Sequence, residues 1–148
     1  MVTARKYVQY SLGQASGENS VDWANDTIKV ALLAATHTPD YANHEHFDDV
    51  SANEVAASGN YVAGGETLGT KTVNVSGDLI LLGGADVDWD PSTIDAGFAV
   101  VYQDTENAET SRLIGLVDFE GEQSSSDGRF AVEWDAGVVI EHDSDTSV

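Results

Sequence analysis

Histidines and a row of aspartates are the side chains in this sequence whose spacing bears on chemistry. His44 and His46 stand two apart, with His37 upstream and Glu45, Asp48 and Asp49 around them. On a strand, residues i and i+2 share a face, so two imidazoles and a carboxylate would suit a Zn-type ion. No local motif supplies a third ligand, and the neighbouring residues lack strand periodicity, so the pair also reads as exposed histidines. Asp86, Asp88 and Asp90 form a D-x-D-x-D run. A calcium loop of that kind needs Gly at its sixth position and Glu at its twelfth. Pro91 and Gly97 stand there instead. The three aspartates are therefore expected on the solvent face of a strand. There they would gather Mg, Ca, Na or K counter-ions without a built site. No organic cofactor is expected.

Signatures of catalysis do not occur. The chain has no G-x-S-x-G elbow, no phosphate-binding G-x-x-x-x-G-K-[ST] loop and no H-E-x-x-H. Gly64-Gly65-Glu66-Thr67-Leu68-Gly69 lacks the spacing of a dinucleotide fingerprint. A glycosidase needs only two carboxylates, but nothing marks out a pair. A non-enzymatic role is expected. Trp23, Trp89 and Trp134 could line a sugar-binding face. Trp89 and Trp134 are in phase with apolar neighbours, which favours core packing. Asn25-Asp26-Thr27 and Asn74-Val75-Ser76 match the glycosylation acceptor pattern, which is common by chance.

The elements that must position these residues alternate with period 2, as half-buried strands do. Ile28, Val30 and Leu32 share one face of 27–34; Val87 and Trp89 alternate with the aspartates; Phe130, Val132 and Trp134 alternate with Arg129, Ala131 and Glu133. GFAVVY (97–102) and RLIGLVDF (112–119) are apolar throughout, as central strands covered on both faces are. Further strands are expected at 5–10, 70–75, 78–82 and 137–141. Asp90-Pro91-Ser92 reads as a turn, and Ser124 to Gly128 as the hairpin joining 112–119 to 129–134. The expected fold is all-β: an antiparallel β-sandwich or jelly-roll-like barrel of about eight or nine strands. Residues 1–20 form an N-terminal arm, 21–142 the sandwich, and 143–148 a fraying tail. Residues 36–66 break the alternation and are expected as a long loop excursion. Thr38-Pro39-Asp40 would start a short helix there, with Phe47 and Val50 as anchors.

Charge narrows the setting. The 148 residues carry 26 Asp plus Glu against 6 Lys plus Arg, a formal net charge of -20. With 41% hydrophobic residues, the chain can still bury a core. Acids run from Glu18 to Asp145 rather than in one block. Self-repulsion on that scale opposes compaction in dilute buffer, whereas molar salt shortens the screening length to about 3 Å. A halophilic setting is expected. Nucleic acid and anionic membranes are unsuitable partners, because both call for basic residues. Cys is absent, which excludes disulfides and thiolate chemistry. No apolar run approaches a membrane span, and the first residues do not read as a secretory signal. A protein acting outside the cell would then need another route, such as release inside an assembled particle.

Residues 27–55 (TIKVALLAATHTPDYANHEHFDDVSANEV) and 58–68 (SGNYVAGGETL) resemble a family of small proteins encoded among the structural genes of tailed viruses. So do 85–105 (ADVDWDPSTIDAGFAVVYQDT) and 111–141. The family supplies no catalytic residues. The resemblance implies a virion component, in acidic form where the host is a halophilic archaeon. It would be a capsid decoration, stabilising or turret subunit, made in the host cytoplasm and packed on the head. Its partners would be itself, as a trimer or pentamer, and the major capsid protein. A tail, baseplate or fibre component is the alternative, and a carbohydrate-binding module a further one. Contacts are expected where acids thin out, at 56–65 and in the N-terminal arm. Arg5, Lys6, Tyr41, Phe47 and Tyr61 are the candidate contact residues.

Overall fold

The computed structural model describes residues 1–18 and 20–143. Among these described residues there are eight strands, one α-helix and two short 3-10 turns. The strands are β1 (Arg5–Lys6), β2 (Ile28–Leu33), β3 (Glu66–Thr67), β4 (Thr72–Ser76), β5 (Leu79–Gly83), β6 (Val87–Gln103), β7 (Leu113–Val132) and β8 (Val138–Asp143). A five-stranded sheet runs β1-β7-β6-β2-β3, and a three-stranded sheet runs β4-β5-β8; the strand pairs are antiparallel. The fold is thus the expected all-β, sandwich-like one, with two sheets rather than a closed barrel.

Two long strands dominate. β6 has 17 residues and β7 has 20, and they pair over most of their length. This corrects two expected turns. Ser124 to Gly128 is not a hairpin connection: Ser124 pairs with Asp95 and Ser125 with Ile94 inside the β6–β7 ladder. Asp90-Pro91-Ser92 does not end a strand either. It is an irregularity within β6, where the register shifts between Trp89 and Ser92. The extra residue moves the inward phase by one, so Val87 and Trp89 face inward before it and Ser92, Ile94 and Ala96 after it. Hydroxyls hold this polar stretch together: Ser92 Oγ lies 3.0 Å from Ser125 Oγ and 2.9 Å from the Trp89 carbonyl. From Ala96 to Tyr102 every residue is buried, as is Leu113 to Val117, because this part of the ladder is covered on both faces.

The N-terminal residues, expected as an arm with a strand at 5–10, are docked on the large sheet. Arg5 and Lys6 pair with Leu116 and Gly115, and α1 (Val8–Ser16) follows at once. Tyr7, Tyr10 and Gly13 recur every three residues and are buried, which gives a helical face rather than a strand face. Gly17 closes the helix with φ +78°, donating its N–H to the Gly13 carbonyl at 2.9 Å.

The small sheet joins the large one at its base. Ala4 N–H donates to the Val139 carbonyl at 2.8 Å, and Ile140 packs over Gly115, whose missing side chain makes the room. Trp23 donates its indole N–H to the Gly83 carbonyl at 3.0 Å. Of the expected tail, only Asp143 lies among the described residues, as the last residue of β8.

The excursion at 36–66 leaves β2 and returns to pair with it at β3. No helix starts at Thr38-Pro39-Asp40; the 3-10 turns lie at Phe47–Asp49 and Ser51–Asn53. They begin there because the Asp49 carboxylate accepts the backbone N–H groups of Glu45 (2.8 Å) and His46 (3.1 Å). Phe47 and Val50 are buried, as expected of anchors. Gly65, at φ +83°, passes so close to Val30 that a Cβ would strike its carbonyl oxygen.

Candidate interaction surface

The residues that the spacing groups stay neighbours: the Asp49 carboxylate accepts the His46 backbone N–H, and His37 lies beside His44. His46 precedes the first 3-10 turn, and the ring beside His44 is that of His37, with centroids 5.8 Å apart. His37 is buried, bonded at Nδ1 to the Asn53 amide at 2.9 Å and set edge-on to Phe98. Burial, with His44 beside it, lowers the His37 pKa. Residues 44–46 form no strand, so the i, i+2 spacing does not set up a chelate, and His44 and His46 are half-buried rather than the exposed pair that the sequence favours. Among the described residues, no three His, Cys, Asp or Glu side chains are placed to hold a metal ion.

Asp86, Asp88 and Asp90 are exposed along the start of β6, as the alternation predicts. Two of them have partners within the chain. Asp86 Oδ1 accepts the Trp134 backbone N–H at 2.8 Å, and Asp88 pairs with Arg129 at 2.7 Å. Both members of that ion pair are about half exposed, so it adds little to stability.

Of the candidate contact residues, two are corrected. Tyr61 is fully buried, and its hydroxyl accepts the Leu32 N–H (2.9 Å) while donating to Glu54 (2.7 Å). Glu54 also accepts the Gly64 N–H at 2.7 Å, so this network ties the excursion to β2. Phe47 is buried and stacked on Tyr102 at 4.2 Å. Both face inward because an excursion of this length must bury apolar surface to stay ordered. Arg5 and Tyr41 engage each other, with the guanidinium carbon 3.9 Å from the ring centroid. Lys6 Nζ lies 3.4 Å from His142 Nδ1, and His142 Nε2 is 2.9 Å from the Tyr10 hydroxyl. Burial is the main cause that pushes the Tyr10 phenol up to about 12, whereas burial followed by Lys6 lowers His142.

Arg112 is a polar anchor that no sequence motif marks. Its side chain is buried, donates to the Gln9 carbonyl at 3.1 Å and faces Glu45 at 3.5 Å. Gly13 lies against the guanidinium. A lone arginine beside an apolar run carries no sequence signal of this role, because the residues that meet it lie on α1 and in the excursion.

The surface itself divides sharply. No carboxylate is buried among the described residues. Among the described residues, the exposed large apolar ones are Met1, Val8, Leu12, Val62, Val73, Val75 and Ile80. All of them lie in acid-free stretches of sequence, or beside one in the case of Ile80, which follows Asp78 closely. Three sit on the β4–β5 hairpin. In its register Val73 pairs with Leu82 and Val75 with Ile80, while Leu82 and Ile80 pair onward with Ile140 and His142. Directly paired residues share a face. The apolar face that covers the core at Leu82 and Ile140 therefore runs out past it into solvent. The three tryptophans are all buried, so none offers the stacking platform that a carbohydrate-binding module would use.

Comparison with protein-family models, curated proteins and solved structures gives no match to this chain.

Proposed function

We propose that this chain is a non-catalytic structural subunit of a tailed-virus particle that persists in brine. It would decorate, stabilise or form turrets on the head by symmetric packing on copies of itself and on the major capsid protein. The observation that carries this reading is the partition of the surface. Carboxylates occupy the exposed faces, while exposed apolar side chains gather on α1, which has no acid, and on the β4–β5 hairpin, whose one acid is Asp78 at the turn. A chain of net charge -20 can approach another of its kind closely only where its acids are absent or screened. The family resemblance of 27–55, 58–68, 85–105 and 111–141 adds the virion setting. A tail, baseplate or fibre position is the alternative within the same particle, and loosely held cations at Asp86 to Asp90 would suit either.

Averaged electron-microscopy density of intact particles tests the assignment: regular copies of this chain on the head are expected. Its absence from the head would sink that placement, and its absence from the particle would sink the virion reading. The saline half has its own measurement. Urea unfolding midpoints should rise between low and molar KCl as the screening length falls from about 30 Å at 0.01 M to about 3 Å at 1 M. Midpoints that stayed flat or fell would contradict it.

A further inference from the structure

We infer that β4 is a self-association edge, on which a second copy of this chain pairs antiparallel through its own β4 to form a six-stranded sheet across a two-fold axis. The inference rests on the reading of the chain as a packing subunit for its purpose, and on three separate features of β4 for its geometry.

The first feature is the open ladder. Among the described residues, β4 ends the three-stranded sheet, and β5 is its one strand neighbour. All five residues from Thr72 to Ser76 are exposed. An edge of this kind presents a row of backbone donors and acceptors ready for another strand. Soluble proteins usually blunt such edges with charge, proline or a bulge. Here T-V-N-V-S carries none of the first two, and its register with β5 is regular from Thr72 to Ser76.

The second feature is charge. Residues 67–77 contain no acid, and Lys71 stands just before β4. Glu141 pairs with Leu81, which places it on the face opposite Ile80 and Ile140. For a partner that itself carries a charge of -20, this edge is a place where approach brings few carboxylates together. A basic partner would instead be drawn to the acid-rich faces, such as the Asp86, Asp88 and Asp90 row. The charge pattern therefore favours a second copy over a basic protein.

The third feature is self-complementarity. With Asn74 on the two-fold axis, Val73 of one copy stands opposite Val75 of the other, and the reverse. The half-open apolar stripe of Leu82, Val73, Val75 and Ile80 then continues from one copy into the next. Val73 is 52% and Val75 76% exposed in the single chain, so both have surface to lose. One strand pair is a small interface, so the dimer should be weak and concentration-dependent.

Sedimentation equilibrium of the full chain at low and molar KCl tests this. Dimer is expected at molar salt, with monomer favoured at low salt. Val73→Asp and Val75→Asp should each weaken association by about tenfold or more, because each sets a carboxylate against the valine opposite it and diagonally across the axis from its own copy. Both sites are exposed, so near-ultraviolet circular dichroism should match the parent. Val8→Asp with Leu12→Asp, on the other exposed apolar surface, should leave the dimer intact. Amide hydrogen exchange on the unmodified chain gives a readout independent of the variants: residues 72–76 should gain protection as concentration rises. A parent that stays monomeric at molar salt overturns the inference. So does a dimer that survives both valine substitutions, or one lost only with Val8 and Leu12. Particle imaging fails or succeeds separately. A monomeric chain found on the head would remove the edge alone, and a β4-paired dimer missing from the particle would remove the virion reading alone.

Discussion

The two sheets use the same chemistry to opposite ends. Where β6 and β7 cross the core, Ala96 to Tyr102 and Leu113 to Val117 are buried throughout, and β2 lies against β6 in unbroken register from Ile28 to Leu33. In the small sheet, β4 is exposed along its whole length and β5 is buried only at Leu82 and Gly83. Both regions are rich in Val and Leu. The difference is not composition but what lies across from the apolar face: another layer along the large sheet and at Leu82 and Ile140, and solvent at Val73, Val75 and Ile80. Burial on the large sheet is committed to folding, whereas apolar surface on β4 and at Ile80 stays uncovered in the single chain.

The largest way to break that contrast is in the large sheet. Trp89 is buried between Tyr61, 5.2 Å away edge-on, and Phe130. Trp89→Ala should cost about 3–5 kcal/mol in urea unfolding at molar salt, through lost burial and the cavity left behind. A loss under about 1 kcal/mol would mean that the core does not depend on the β6–β7 ladder. Tyr61→Phe removes a hydroxyl that both accepts from Leu32 and donates to Glu54. It should cost about 1–3 kcal/mol, since the Leu32 N–H loses its partner inside the protein. Faster exchange of the Leu32 amide would localise the effect.

A pH titration follows in size. The folded protein lowers the pKa of His37 below its ordinary 6.5, by burial and by His44. The unfolded chain therefore takes up this proton first, and stability should decline as pH falls below about 6.5 and level off once pH is below the folded value. His37→Gln should flatten that part of the profile; an unchanged slope would shift the cause to His142, which is lowered as well. The smallest effect belongs to the small sheet. Val75→Ala should change the stability of the monomer by no more than about 0.5 kcal/mol. A larger loss would show that β4 contributes to the fold rather than to assembly.

Strand location was largely legible because alternation and apolar runs are local. The segments 27–34, 70–75, 78–82 and 137–141 match β2, β4, β5 and β8 within about two residues, the usual uncertainty of element ends. The continuity of β6 and β7 was not legible. Pro91 and the serines at 124–126 carry turn chemistry, yet in this ladder they lie where the strands are solvent-exposed and irregular, so their polarity has little cost. The helix at Val8–Ser16 did leave a signal, in the spacing of Tyr7, Tyr10 and Gly13 and in the Gly17 stop, but Tyr-Val-Gln-Tyr mimics strand alternation over so short a window.

The candidate contacts show the same division. Period and composition do not distinguish Tyr61, which lies in the core, from an exposed aromatic in a loop; only the position of Leu32 and Glu54 decides it. The sequence by itself determined the all-β class, the strand faces and a surface dominated by carboxylates, since these depend on neighbours in the chain and on hydration of single groups. The tertiary structure alone decided which strands run on through polar residues, which aromatics turn inward, and which apolar face is left uncovered at β4. Those outcomes depend on contacts between residues far apart in the chain, and no local pattern encodes which layer will meet which.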